Sequence, residues 1–139
     1  MSARSKARKR ALDVLYASEM RNLPTADAMT EQAEAGPVNE YTVTLVQGVT
    51  EHRTRLDEVI AGYAQGWTLD RMPAVDRNVL RLATYEVLFV DDVPDAVAVS
   101  EALHLVRDLS TDESPAFVNG VLGNIVRDRD LLSRRPTAG

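Results

Sequence analysis

The residues best suited to chemistry lie near the two ends of the chain. Arg4, Lys6, Arg8, Lys9 and Arg10 fall within the first ten residues, and that stretch holds no acid. Clustered cations of this kind touch phosphates, nucleic acid or acidic lipid, although a terminal charge run is as often simply solvated. Further on, Asp112, Glu113 and Ser114 run into Pro115, with Phe117 two residues beyond it. Ser114 has the character of an N-cap and Pro115 that of a first helical position. A helix start offers free backbone N–H groups, and beside it stand two carboxylates and a ring. Together these are the parts of a single-stranded nucleic-acid site: cations for phosphate, an aromatic face for a base, and polar groups for base edges. Carboxylates beside the ring repel phosphate but accept from base N–H donors, so they would favour particular bases.

Other chemistries find little support. The chain has no cysteine, which removes disulfides, thiolate zinc sites and cysteine nucleophiles together and fits a reducing, cytoplasmic setting. It shows no Gly-rich phosphate loop, no His-Glu-x-x-His and no nucleophile elbow. Neither an enzyme nor a metal or cofactor site is expected. His52 has no ligand partners at helical spacing beyond Glu51 and Asp57, and reads as a helix-end residue. The formal net charge of −5 conceals an asymmetry, because the first ten residues carry +5 and the rest of the chain therefore −10. A basic arm on an acidic body argues against nonspecific coating of DNA. The longest apolar runs are about four residues, far below the roughly 20 that span a bilayer, so no membrane segment or export signal is expected.

The elements that must position these groups read as helices throughout. Residues 75–90 carry an apolar face broad enough for a central pillar, made by Val75, Val79, Leu82, Ala83, Val87 and Val90. Arg77, Asn78, Arg81 and Thr84 form a narrow polar stripe expected to meet water. Glu86 falls within the apolar face and reads as a buried, hydrogen-bonded docking residue rather than a catalytic acid, since no second carboxylate accompanies it. Ala7, Ala11, Val14, Leu15 and Ser18 mark a first helix, with Lys6, Lys9, Arg10 and Asp13 opposite. Thr25 is expected to cap a second helix that stops near Gly36-Pro37. Tyr41, Leu45, Gly48 and Val49 mark a third, and Leu56, Val59, Ile60 and Tyr63 a fourth, with Thr54 and Asp57 resembling a capping box. Trp67 reads as a core wedge in the connector to the pillar, with base stacking as the alternative. Val99, Ala102, Leu103, Val106 and Leu109 outline one more helix, and Val118, Val121, Leu122 and Ile125 the last. The only strand-like alternation is at residues 96–99. The expectation is an all-α chain forming one domain over residues 1–139, with disordered tails at about 1–5 and 133–139.

The chain also resembles a known family. Ala7-Arg8-Lys9-Arg10-Ala11-Leu12 with Leu15-Tyr16, Gly48-Val49 with Leu56-Asp57, and Val75-Asp76-Arg77-Asn78-Val79-Leu80-Arg81 with Tyr85-Glu86 are similar to the NusB family of bacterial transcription antitermination factors. The most specific match is Asp112-Glu113-Ser114-Pro115-Ala116-Phe117-Val118-Asn119-Gly120-Val121-Leu122. The stretch around Trp67-Thr68-Leu69-Asp70-Arg71 and Pro73 looks like the actinobacterial branch. The resemblance implies about seven helices in two helical subdomains and no catalysis. It implies binding of the boxA RNA of ribosomal RNA leaders together with the ribosomal protein NusE, within the RNA polymerase antitermination complex. It places RNA contacts at Lys6, Arg8, Lys9, Arg10, Tyr16, Glu113, Ser114 and Phe117, and sets Asp76, Arg77 and Arg81 near the RNA or NusE surface. Glu113 stands where better-studied members carry Asp. Ser5 stands where relatives carry arginine, which predicts fewer phosphate contacts and a larger part for NusE.

Two rival readings remain. One is a protein-interaction module in which the basic helix and Phe117 bind an acidic partner or form a homodimer, the latter through an exposed aromatic and the small face at Ala7 and Ala11. The other is the similar RNA-binding domain of RNA cytosine methyltransferases, against which the absence of cysteine argues.

Overall fold

A computed structural model of the chain describes residues 2–134. Among these residues there are eight α-helices, one 3-10 turn and no strand. The chain parts into two compact helical units between Arg53 and Thr54.

The first unit holds α1 (Ala3–Met20), α2 (Thr25–Glu34) and α3 (Glu40–Glu51). Helix α1 starts at once because Ser2 caps it, its Oγ accepting from the Ser5 N–H at 3.0 Å. Residues 3–5 are therefore helix, not the loose tail expected from the sequence. The face predicted at Ala7, Ala11, Val14, Leu15 and Ser18 is buried, and Leu12 joins it. Alanines at 7 and 11 let α3 approach closely enough for Thr42 Oγ1 to donate to the Ala7 carbonyl at 3.0 Å. That small face is consumed inside its own unit, which removes it as a homodimer surface. Asn22 takes a positive φ of 53° to end α1, a conformation Asn tolerates better than most residues. Asn39 caps α3 through Oδ1, which accepts from the Tyr41 N–H at 2.7 Å. Thr25 does not cap α2 as expected. Pro24 occupies the cap, and the Thr25 hydroxyl instead shares a hydrogen bond with Thr50 Oγ1 at 2.9 Å.

The second unit holds α4 (Arg53–Tyr63), the 3-10 turn Leu69–Arg71, α5 (Ala74–Phe89), α6 (Asp95–Leu109), α7 (Ser114–Arg127) and α8 (Arg129–Arg134). Helix α5 is the pillar, packed by α6, α7 and α8. Leu80, Val79 and Glu86 are all buried on it, so Glu86 sits inside as expected. The polar stripe is a correction, because Asn78, Arg81 and Thr84 are buried too. Arg81 lies 6% exposed, and its Nε and Nη2 donate to the Asp57 carboxylate on α4 at 2.8 and 3.0 Å. Asp57 is thus the pillar's ion-pair partner rather than half of a capping box. Residues 96–99 lie in α6, where Ala98, Ala102 and Val106 face inward and Leu109 is exposed. Helix α8 has no clear apolar period and was not anticipated. It carries residues 133–134, and residues 135–139 of the expected tail lie outside the described residues.

Helix α4 is also tied to the far end of α7. The Tyr63 hydroxyl donates to Asp128 Oδ2 at 2.6 Å. This bond to Asp128 pushes the Tyr63 phenol up, while the Arg127 guanidinium first, and Tyr63 second, hold the Asp128 carboxyl below the usual range. A raised Tyr contributes stability below the unfolded phenol value, near 10, and loses it as pH rises through the folded one. A depressed Asp contributes above the unfolded carboxyl value, near 3.9, and loses it as pH falls through the folded one. Tyr63→Phe is expected to lower the melting temperature at neutral pH and to shrink the loss of stability at both extremes, as read by thermal melts from pH 2 to 11.

Candidate nucleic-acid interface

Helix α1 presents its cations in different states. Lys6 is exposed. Lys9 is half-buried and bound to Asp13 one turn on, at 2.8 Å. Pairs at such exposure are worth little and exchange readily for a phosphate. Arg10 is half-buried, and its Nη2 donates to the Gln32 carbonyl at 3.1 Å, which ties α1 to α2. Arg8 is buried, its guanidinium 5.7 Å from the Tyr41 ring centre, and Arg4 lies closer over the same ring at 4.2 Å. The cations do not form one uniform solvent face, because the Tyr41 ring draws two of them inward by cation–π attraction. Tyr16 is exposed at 41%. Arg4, counted in the basic arm by sequence but not among its contacts, lies on this ring as well.

The second unit carries a cavity of about 560 Å³ lined chiefly by Trp67, Arg71, Asp112, Glu113 and Phe117. Its floor is built by α5. Asp76 is 2% exposed, and its carboxylate accepts from Ser110 Oγ at 2.6 Å and Ser114 Oγ at 2.8 Å. Ser114 is further linked to the Thr111 hydroxyl at 2.8 Å, so the α6–α7 loop is fastened to the pillar from below. The Ser114 hydroxyl therefore serves the fold, and Glu113, not Ser114, holds the cap position of α7. Asp112 and Glu113 are left exposed at the rim.

From α5, Arg77 Nη1 donates to the carbonyls of Leu69 and Met72 at 2.8 and 2.9 Å. Those bonds hold the 3-10 turn that follows Trp67. In the same turn, the Thr68 hydroxyl holds the Asp70 carboxyl below the usual range. Of the residues expected near the RNA or NusE surface, Asp76 and Arg81 are buried with their carboxylate and guanidinium bonded inside the unit, and Arg77 is half-buried against the 3-10 turn. Trp67 is another correction. It is 53% exposed, not a core wedge, and meets the half-buried Phe117 edge-on with centroids 6.2 Å apart and planes at 62°.

Among the described residues no group of His, Asp and Glu could hold a metal ion, and no helix is long and apolar enough to cross a membrane.

Comparison with known proteins finds relatives along nearly the whole chain. The NusB family profile matches residues 5–127. The transcription antitermination protein NusB of Nocardioides sp. strain JS614 is 64% identical over 135 residues, covering 96% of this chain and 100% of that protein. The solved structure of T. maritima NusB superposes with a TM-score of 0.83 at 30% identity, over 92% of this chain and 93% of that one. A chain from a crystal structure of antitermination factors NusB and NusE in complex with dsRNA gives a TM-score of 0.80 at 27% identity, over 89% of this chain and 96% of that one. With an all-helical fold, a family profile over residues 5–127 and a relative 64% identical over 96% of the sequence, this chain belongs to the NusB family.

Proposed function

We propose that this chain is a transcription antitermination factor that binds boxA RNA of ribosomal RNA leaders together with NusE, in the cytoplasm and without catalysis, as part of the RNA polymerase antitermination complex. The observation that carries this reading is the cavity at the start of α7, where Phe117, Trp67, Glu113 and Arg71 gather a ring surface, an acceptor and a cation at the position of the family's RNA-side phenylalanine. Helix α1 adds Lys6 and Lys9 as phosphate contacts, and Tyr16 as an exposed ring, while Arg4 reaches a phosphate only by leaving Tyr41. Arg8 and Arg10 contribute by leaving Tyr41 and Gln32 only if those internal contacts are exchanged.

The test is fluorescence anisotropy with a labelled boxA RNA and a scrambled control over a range of salt. The expected result is tighter binding to boxA. With three or four phosphate contacts, the slope of log K against log salt is about −2 to −3. Equal, weak binding to both RNAs would contradict the reading and favour the protein-interaction module, for which the exposed Phe89, stacked on Tyr85 at 5.4 Å, is a candidate surface.

A further inference from the structure

The cavity at the start of α7 contains two aromatic side chains that differ in availability. Phe117 is half-buried, and its ring meets the indole in an edge-to-face contact. Trp67 leaves 53% of its surface in water, the larger free aromatic face of the two. A large indole held open at that level is unusual unless something covers it in use. Its surroundings say what. Arg71, four residues on, stands exposed at the cavity, and so do Asp112 and Glu113. A purely apolar partner would leave those three charges at its edge. A nucleotide satisfies all of them: a planar base for the ring, a phosphate for the guanidinium, and base N–H groups for the carboxylates.

Resting on the RNA-binding reading above, we infer that Trp67 is the stacking platform for one unpaired base of the bound RNA, with Phe117 as the wall behind it. Because the rings meet at 62°, they form a corner and not a sandwich. A base stacked flat on the indole would meet Phe117 with its edge and turn its polar edge toward Asp112 and Glu113. The phosphate is directed to the Arg71 side, away from the carboxylates. Asp76 and Arg77 are positioning residues for this corner, one through the serines under the α6–α7 loop and the other through the backbone of the 3-10 turn.

The chain supplies its own reporter, since Trp67 is its only tryptophan. Unlabelled boxA RNA is titrated into the full chain while indole emission is read, and binding of a labelled copy is followed in parallel by anisotropy. Trp67→Ala and Trp67→Phe are compared with the unaltered chain, and far-UV circular dichroism verifies that each is folded. The expected result is quenching of Trp67 that saturates together with the anisotropy. Trp67→Ala should weaken binding about 5- to 150-fold, the loss of one base stack, with Trp67→Phe recovering part of it. Replacing RNA bases one at a time by an abasic ribose should reveal one position whose loss weakens the unaltered chain but not Trp67→Ala. Saturating anisotropy with unchanged emission, and Trp67→Ala within about twofold of the parent, would overturn the platform while leaving the RNA-binding reading intact. Anisotropy that never rises would overturn both.

Discussion

Asp57→Ala is expected to destabilise the second unit by about 2–4 kcal/mol, read as a lower denaturation midpoint with an unchanged slope. Arg81 lies in the pillar, and its side chain is 7% exposed against 31% for Asp57. Deleting one member of a buried ion pair leaves a desolvated charge without its counter-charge and costs about 3–5 kcal/mol when both groups are inside. Partial exposure of Asp57 reduces that figure, because water screens the pair and can reach the guanidinium. Asn78 Oδ1, which accepts from Arg81 Nη1 at 3.2 Å, is neutral and cannot replace the carboxylate. The matched double change Asp57→Leu with Arg81→Met should recover much of the loss, since apolar side chains can substitute for a buried pair. A midpoint for Asp57→Ala equal to that of the unaltered chain would show that the pair does not secure α4 to the pillar.

Asp76→Ala is expected to cost a similar 2–4 kcal/mol and, unlike Asp57→Ala, to weaken RNA binding in proportion to the loosening of residues 110–113. Two hydroxyls donate to this buried carboxylate, and hydrogen bonds to a charged group contribute about 1.5–3 kcal/mol each. Without the acceptor, Ser110 and Ser114 lose their common anchor and the loop bearing Asp112 and Glu113 is no longer pinned. Asp76→Asn keeps one carbonyl acceptor and should fall between the two. Hydrogen exchange over residues 110–116, compared between the variants, separates this loop effect from general unfolding. Protection unchanged in Asp76→Ala would remove the residue from its positioning role.

Much of this was legible in the sequence, and the misses share a cause. Helical spacing locates α1, α3, α5, α6 and α7 because their buried residues are apolar and recur at the period, as in Val118, Val121, Leu122 and Ile125. The same logic misplaces Asn78, Arg81 and Thr84 of α5, whose spacing reads as a wet stripe although all three are buried. Periodicity assigns polar residues to solvent, whereas here Asp57, brought in from another helix, makes an arginine acceptable inside. Trp67 failed in the opposite direction, because a lone tryptophan between helices is normally buried, and nothing local announces a rigid turn held by Arg77 that keeps it out. Arg8 and Arg10 were grouped with Lys6 and Lys9 as surface cations. Their contacts are with Tyr41 and Gln32, 33 and 22 residues away in the chain, and spacing within α1 cannot show them. The loop at residues 112–117 reads as a candidate site from sequence, whereas the anchoring of Ser114 by Asp76 is visible only in the fold.

Joint recognition of boxA RNA with NusE is read from the affinity of the chain for labelled boxA and scrambled RNAs with NusE present and absent. The predicted result is a preference for boxA that NusE increases by tenfold or more, about 1.4 kcal/mol of coupling, with little gain on the scramble. Binding that is equally weak for both RNAs and unmoved by NusE would contradict the account.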